Sequence, residues 1–190
     1  MTYPNWFASY AVEYFKKHLT SYTDKPNLSF LQIGAFTGDA SLWLAQNILT
    51  HPSSTLIDVD TWQGSDEEVH HKMDFTDVEK TYDWKLLSYP RVIKTKMPSL
   101  QFFHDLDEVG VYDFIYIDGD HTAQAVFHDA INGWKALKPG GIMAFDDYLW
   151  GMELPLEKRP QPAIDLFVTL LKEEMELLDS GSQIWIRKNE

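Results

Sequence analysis

Apolar runs and amphipathic repeats alternate along the chain and predict an α/β domain. Residues 6–19 place aromatic and aliphatic side chains at helical spacing, which indicates an N-terminal helix. Seven later runs have the length and apolarity of strands: residues 28–33, 55–59, 91–94, 112–117, 141–145, 174–178 and 183–187. Helical patterns over residues 40–49, 100–104, 123–137 and 163–171 follow several of these runs. Strands that alternate with helices predict a Rossmann-like, doubly wound sheet that is mostly parallel and covered by helices on both faces.

Two segments depart from this alternation. The last two runs flank Asp179-Ser180-Gly181-Ser182, so they predict an antiparallel C-terminal hairpin that completes a seven-stranded sheet, with one antiparallel strand at or near the edge. Residues 63–85 are polar and acidic, with helical character only toward their end, and a long insertion of this kind is often functional. We therefore expect one domain over residues 1–190, in which residues 1–27 form an N-terminal helix and loop and residues 63–85 form a lid.

The composition of the chain excludes some classes of function and disfavours others. The chain has 190 residues, 16 basic and 29 acidic, and its net charge of −13 disfavours binding to nucleic acid or to an anionic membrane. It has no cysteine, which excludes disulfides, thiolate zinc sites and cysteine nucleophiles. The N-terminus lacks the basic and apolar regions of a signal peptide, and no run approaches the roughly 20 apolar residues of a membrane helix. We expect a soluble cytoplasmic protein.

Carboxylates and a histidine follow two strands that we expect to be neighbours. Asp118 and His121 come after the run at 112–117, and Asp146 and Asp147 come after the run at 141–145. Carboxyl ends of parallel strands are where open α/β sheets bind ligands, and clustered carboxylates repel one another unless a cation or proton lies between them. Mg²⁺, Mn²⁺ or Ca²⁺ suits such a site, and His121 is a candidate general base. The alternative is that Asp120 or Asp146 caps a helix while His121 lies on the surface.

A glycine-containing turn follows the first strand. Gly34 and Gly38 are four residues apart, so the turn matches neither the nicotinamide fingerprint nor a phosphate loop. Asp58 and Asp60 lie at the end of the second strand, where a carboxylate can accept hydrogen bonds from a ribose, and we prefer Asp60 because it lies at the very end. Ordinary loop chemistry and a solvated acid are the alternatives. Taken together, the turn and the acid favour nucleoside binding.

A second cluster of titratable residues lies in the predicted lid. His70 and His71 stand close to Asp66, Glu67 and Glu68 and could bind a metal. Consecutive residues on a helix point in different directions, so a solvated face is the favoured interpretation. The chain also lacks the Gly-x-Ser-x-Gly elbow of a serine hydrolase.

These motifs together resemble class I S-adenosylmethionine-dependent methyltransferases. The resemblance rests on the Gly34–Gly38 turn, the acid at position 60, the segment 112–121 and Leu137-Lys138-Pro139-Gly140-Gly141, and it covers residues 28–188. The Asp118-Gly119-x-His121 segment with Asp146-Asp147 is similar to the small branch of macrocin-type sugar O-methyltransferases, with catechol O-methyltransferase a more distant relative.

The resemblance implies a role for each matching position. The implied cofactor-binding residues are Gln32, Gly34, Ala35, Phe36, Gly38, Ser41, Asp60, Thr61 and Asp118. Asp118, Asp146 and Asp147 would hold a divalent cation, with Mg²⁺ expected, and His121, next to Asp118 in the catalytic set, would take the proton of the acceptor hydroxyl. Many relatives carry an acid where this chain has Gln32, so the hydrogen bond to the amino group of the cofactor is expected to be weaker here.

The resulting hypothesis is a metal-assisted O-methyltransferase that acts on a small hydroxylated acceptor, either a sugar or a catechol-like diol. A methyltransferase that works without metal is one alternative, and a non-catalytic module that binds a nucleoside or a partner on the same fold is another. The acceptor pocket is expected from the N-terminal helix and residues 63–84 and 150–162. A homo-oligomer stays open, because the aromatic N-terminal helix could pack on a second copy.

Overall fold

The computed structural model describes residues 3–190 and contains all seven predicted strands. The strands are β1 Ser29–Ile33, β2 Thr55–Asp60, β3 Val92–Lys96, β4 Tyr112–Ile117, β5 Leu137–Phe145, β6 Met175–Ser180 and β7 Ile184–Lys188. The helices are α1 Val12–Leu19, α2 Asp39–Asn47, α3 Phe75–Leu86, α4 Ser99–Asp105, α5 Ala123–Ala136 and α6 Gln161–Leu171. A π-helical turn, Phe7–Ala11, leads into α1. None of the helices within residues 3–190 is long and apolar enough to span a membrane.

One seven-stranded sheet organises the domain in the order β3-β2-β1-β4-β5-β7-β6. The first five strands of this order pair in parallel, while β7 is antiparallel to both β5 and β6. The antiparallel strand is thus one position from the edge, because the C-terminal hairpin folds back with β7 on its inner side. The predicted doubly wound, mostly parallel sheet with an antiparallel C-terminal hairpin is confirmed.

Each face of the sheet packs against its own layer of helices. In β4, Phe114 and Tyr116 point into the cluster formed with α1 and α2, whereas Ile115 and Ile117 point into the cluster formed with α4, α5 and α6. Successive side chains of a strand point to opposite faces, so a strand covered on both sides is apolar at every position. This explains why residues 114–117 form an unbroken apolar run.

Because of the register of the parallel strands, four turns of the chain lie side by side at the carboxyl edge of the sheet. Ile33 pairs with both Val59 and Ile117, and Ile117 pairs with Phe145. Backbone hydrogen bonds extend this pairing by one residue, because the Asp118 amide donates to the Ile33 carbonyl at 2.8 Å and the Asp146 amide donates to the Ile117 carbonyl at 3.0 Å. The residues that follow β1, β2, β4 and β5 therefore converge where the strand order reverses, between β1 and β4.

The segment between β2 and β3 has two parts. Residues 75–86 form the regular helix α3. Asp74 caps its N-terminus, because the Asp74 carboxylate accepts the Thr76 amide at 2.9 Å. Val78 and Tyr82 on this helix are buried against Trp62. The irregular part, residues 63–74, contains one short 3-10 turn at His70–Lys72, and we call it the lid segment.

The segment before the last predicted parallel strand is itself extended. The apolar run at 141–145 predicts only the end of this strand, whereas β5 runs from Leu137 to Phe145 without interruption. The register against β4 shifts between Tyr112 and Phe114, which accommodates the glycine-containing stretch in the strand.

Candidate active site

The glycine turn after β1 is pressed against the end of β4. Gly34 has φ +84°, and a methyl carbon placed on it would lie 1.9 Å from the Asp118 carbonyl oxygen. Gly38 has φ +79° and precedes α2, with the ring of Tyr82 2.9 Å from where its methyl carbon would be. Only glycine combines this backbone conformation with such close packing. Gly34 therefore joins the two chain turns on which the predicted donor and acceptor sites lie.

Asp60 organises the glycine turn. One carboxylate oxygen accepts the Ala35 amide at 2.8 Å and the Phe36 amide at 2.9 Å, and the other accepts the Trp62 amide at 2.7 Å. Phe36 and Trp62 both have positive φ, which these bonds help to hold. A carboxylate offers about four acceptor positions, so about one is left for a ligand hydroxyl.

Asp58, the alternative to Asp60, is fully buried in the sheet. Burial raises its pKa to about 7, against the lowering effect of the nearby hydroxyls of Ser41 and Tyr82. The Tyr82 hydroxyl lies 2.7 Å from the Asp58 carboxylate. Of the two acids in β2, Asp60 is the one at the binding edge.

Three other residues of the predicted cofactor set differ in their accessibility. Gln32 is buried; its Nε2 donates to the Gly34 carbonyl at 2.8 Å, and within the described part of the chain its Oε1 has no partner. Ser41 is fully buried near Asp58. Thr61 is half-buried, and its hydroxyl accepts the Gln63 amide at 3.2 Å. Gln32 thus presents an unsatisfied acceptor below the turn, whereas Ser41 has no exposed surface in this conformation.

Two carboxylates are crowded at the ends of β4 and β5. Burial and the charges of Asp146 and Asp147 raise the pKa of Asp118 well above its ordinary range. Burial and Asp147 likewise raise the pKa of Asp146. Asp146 accepts hydrogen bonds from the Tyr116 hydroxyl, from Gln183 Nε2 at 2.9 Å and from the Asp147 amide at 2.7 Å. Asp146 is thus locked in place with about one acceptor position left, and it does not cap a helix.

Asp147 and His121 complete the cluster. Asp147 has φ +54°, and its carboxylate lies 3.1 Å from His121 Nε2. Asp118, His121 and Asp147 each offer a ligand atom, all within 4.8 Å of one another. Burial lowers the pKa of His121, but the hydrogen bond and charge of Asp147 outweigh burial, with help from Glu67 and Asp146, and the net shift is upward.

The remaining predicted acid has a structural role. Asp120 is exposed and accepts the Thr122 amide at 2.7 Å, just before α5 begins. Its side chain stabilises the turn into the helix, as in the alternative of a cap or loop residue.

Four residues that contact the cluster were not assigned to it from the sequence. Tyr116 and Gln183 lie in or beside apolar strands and bind Asp146. The ring of Trp150 lies 4.7 Å from that of His121, and Glu67 of the lid segment lies 3.3 Å from His121 Nδ1. The sequence contains no local signal for these contacts, because each joins residues at least 29 positions apart in the chain.

Comparisons with known proteins agree with this architecture. A family model described as a methyltransferase domain matches residues 31–148, which is more than half of the chain. A caffeoyl-CoA O-methyltransferase from Stellaria longipes is 26% identical over 141 residues, covering 74% of this chain and 54% of the relative. The chain thus spans about half the length of this curated relative.

Solved structures share the fold at low sequence identity. The O-methyltransferase TomG from Streptomyces achromogenes, solved with S-adenosylmethionine, superposes with a TM-score of 0.62 at 16% identity, covering 85% of this chain and 73% of its own. An O-methyltransferase from Bacillus cereus, solved with S-adenosylhomocysteine, gives 0.60 at 15% identity, covering 100% and 93%. MycE of the mycinamycin biosynthetic pathway, solved with Mg and S-adenosylhomocysteine, gives 0.65 at 14% identity, covering 100% and 51%.

The extent of the family match and the shared fold confirm the resemblance that the motifs indicated. The chain belongs to the methyltransferase-domain family, with the fold of the class I S-adenosylmethionine-dependent enzymes.

Proposed function

We propose that the protein transfers the methyl group of S-adenosylmethionine to a hydroxyl oxygen of a small acceptor that carries two neighbouring oxygens, with the help of a divalent cation. The observation that carries the proposal is the contact at Gly34, which joins the donor turn to the strand end bearing Asp118. Methyl transfer requires donor and acceptor in line at short range, and two half-sites on adjacent strand ends meet that requirement.

The donor half-site suits the cofactor. Gln32 Oε1 is a buried acceptor without a partner among residues 3–190, and the ammonium of a methionine moiety would satisfy it. Asp60 retains about one acceptor position for a ribose hydroxyl. When bound, S-adenosylmethionine supplies a sulfonium methyl group that is open to in-line attack.

The acceptor half-site suits a hard divalent cation. Asp118 and Asp147 offer carboxylate oxygens within 4.8 Å of each other, and Asp146 keeps one free acceptor position beside them, so these three acids form the proposed ligand set. Burial and, after it, the charges of Asp146 and Asp147 raise the pKa of Asp118, and a bound cation would offset both effects. When bound, such a cation lowers the pKa of an acceptor hydroxyl and fixes its direction.

His121 is the proposed general base. Its Nε2 faces Asp147, and Trp150 packs on its ring. These two contacts hold the imidazole beside the cluster of acids. In the reaction, the acceptor oxygen forms a bond to the methyl carbon as the carbon–sulfur bond breaks, and the hydroxyl proton goes to His121. Tyr116 and Gln183 keep Asp146 in place during this step.

Turnover assays test the proposal. Purified protein, S-adenosylmethionine and a panel of vicinal diols, both catechols and sugars, are expected to release S-adenosylhomocysteine. Chelator should abolish the release and added Mg²⁺ should restore it. Undiminished turnover in chelator would remove the metal from the mechanism. Calorimetry that detects no S-adenosylmethionine binding at millimolar concentration would overturn the whole proposal.

A further inference from the structure

Arg159 is a cation in the loop that borders the acceptor half-site. This loop, residues 150–160, precedes α6 and begins at Trp150, whose ring lies 4.7 Å from that of His121. The Trp150 amide donates to the Asp147 carbonyl at 2.9 Å. Gly151 has φ +63°, and a methyl carbon placed on it would lie 3.8 Å from Arg159 Cβ. Arg159 therefore packs beside the residue that follows Trp150.

A second contact connects this loop with the lid segment. Lys158 Nζ lies 3.6 Å from Asp66 Oδ2. The next residue of the lid segment, Glu67, has its carboxylate 3.3 Å from His121 Nδ1. Arg159 thus lies between two parts of the chain that contact His121, which makes it part of the wall of the acceptor half-site.

The guanidinium of Arg159 uses one of its three nitrogens for contacts with the protein. Nη1 donates to the Met152 carbonyl at 3.0 Å and contacts the Met152 sulfur at 3.1 Å. Nε is buried without a partner among residues 3–190, while Nη2 makes no hydrogen bond with these residues and is not buried. Nε and Nη2 form one edge of the planar group, and the two parallel N–H groups of this edge match the two oxygens of a carboxylate or phosphate. The edge that is suited to an anion is therefore the edge left free.

The charge of Arg159 also lacks a counter-ion. Within the described part of the chain no carboxylate forms an ion pair with this guanidinium, although Glu153 and Glu157 belong to the same loop and are exposed. An arginine stays charged at any ordinary pH, and a chain with 29 acidic and 16 basic residues offers many carboxylates that could pair with it. Leaving a half-buried charge unpaired is unfavourable, so this arginine indicates an anion that comes from outside the protein.

We propose that Arg159 binds an anionic group of the methyl acceptor, so that the acceptor is a diol that also carries a carboxylate or a phosphate. The oxygens of this anion accept from Nε and Nη2, while the diol end of the molecule reaches the acid cluster. This inference rests on the proposed function for the identity of the acceptor half-site. It narrows the acceptor from any small diol to an acidic one, and the charge of Arg159 offsets the repulsion between such an acceptor and the neighbouring acids.

Binding of matched acceptors to the full-length protein tests the inference. Each pair shares its diol and differs in charge: 3,4-dihydroxybenzoate against 3,4-dihydroxybenzamide, and glucose 6-phosphate against glucose. Calorimetry with S-adenosylhomocysteine and Mg²⁺ present measures the four affinities. At least one anionic member is expected to bind about 10-fold or more tightly than its neutral partner, the scale of a charge-assisted hydrogen bond. The pair that shows the preference distinguishes a carboxylate from a phosphate.

Variants of the arginine separate recognition of the anion from packing of the loop. Arg159→Gln, whose amide can still donate to the Met152 carbonyl, is expected to bind both members of a pair equally, with the affinity for the neutral member changed less than about twofold. Arg159→Lys keeps the charge but loses the paired N–H groups, so it should retain part of the preference. Arg91→Gln is the matched control and should leave the preference unchanged, because Arg91 precedes β3 at the amino edge of the sheet and donates to the Leu49 carbonyl at 3.1 Å.

Different results overturn the role of Arg159 and the proposed function. Equal affinities within both pairs, or no binding of either anionic member at millimolar concentration, overturn the role of Arg159 even if methyl transfer is observed. The same holds if Arg159→Gln loses the neutral member as well, or if Arg91→Gln loses the preference equally. A wild type that prefers the anionic member but neither binds S-adenosylmethionine nor releases S-adenosylhomocysteine overturns the proposed function and leaves the anion site in place.

Discussion

The donor and acceptor half-sites use carboxylates in opposite ways. Asp60 accepts three backbone amides and holds the glycine turn, so its charge is compensated within the protein. Asp118 lies beside Asp146 and Asp147, and burial with these charges raises its pKa well above the ordinary range. The carboxylate of the donor half-site is therefore compensated by the protein itself. The acceptor half-site contains repulsion between carboxylates that a bound cation or proton would relieve.

Gly34→Ala is expected to break both half-sites at once and to have the largest effect. The added methyl group would lie 1.9 Å from the Asp118 carbonyl oxygen in a backbone conformation that alanine rarely adopts. We expect the free energy of unfolding to fall by more than about 4 kcal/mol, measured by urea unfolding. Gly110→Ala is the control: it has φ +63° and no atom within 4 Å of the added methyl group, so it should lose only about 1 kcal/mol. Equal losses in the two variants would contradict the close approach at Gly34.

Asp118→Asn should separate stability from function in the acceptor half-site. Removing one of the crowded carboxylates is expected to weaken Mg²⁺ binding by at least about 100-fold, because loss of a residue that only supports a metal ligand already costs about 10–100-fold. The same change should raise the melting temperature at pH 8 in chelator, because a buried, repelled charge is removed. Asp120→Asn, which changes an exposed acid two residues away, should leave both the Mg²⁺ affinity measured by calorimetry and the melting temperature unchanged. A lower melting temperature for Asp118→Asn in chelator would show that the carboxylate is compensated as Asp60 is.

The buried acid beneath the donor half-site predicts a pH dependence of stability. Burial raises the pKa of Asp58 to about 7, so the folded state holds this proton more tightly than the unfolded state, in which the pKa is near 3.8. The contribution of Asp58 to the free energy of unfolding is therefore fully present below the unfolded-state pKa. It is lost as pH rises toward 7, by up to about 4 kcal/mol. Urea unfolding between pH 4 and 8 measures it.

Asp58→Asn should make the free energy of unfolding depend less on pH between pH 4 and 7. Burial also raises the pKa of Asp129 on α5 to about 7, so Asp129→Asn is the matched variant in the acceptor-side helix layer. If the slope between pH 4 and 7 persists unchanged in Asp58→Asn, the charge of Asp58 does not control stability.

Asp60→Asn should give the smallest of these effects. An asparagine amide group cannot accept the amides that one carboxylate oxygen now accepts, so at least one hydrogen bond to the turn is lost. We expect about a tenfold loss of S-adenosylmethionine affinity, the scale of one such hydrogen bond, measured by calorimetry. Asp120→Asn, the same change at an exposed acid outside the glycine turn, should change the affinity less than about twofold. An Asp120 effect equal to that of Asp60 would argue against Asp60 as the organiser of the turn.

The pattern of the chain predicted the elements of the fold well because each one buries a continuous or periodic set of apolar side chains. The run at residues 112–117 and the helical spacing in 123–137 correspond to β4 and α5. The irregular region was less well described. The helical character expected toward the end of residues 63–85 is confirmed by α3, but the helix already begins at Phe75. Its buried Val78 and Tyr82 pack with Trp62, which lies outside the segment.

The sequence by itself determined which chemical groups stand at the strand ends, and thus the family, the glycine turn and the cluster of Asp118, His121, Asp146 and Asp147. These follow from local patterns, since a strand and the residue after it are neighbours in the chain. Only the tertiary structure decided how each acid is used: Asp60 bound to amides, Asp146 held by Tyr116 and Gln183, and Glu67 selected from three consecutive acids to face His121. The physical reason is that compensation of a charge depends on partners distant in sequence, and only packing determines which of them come within reach.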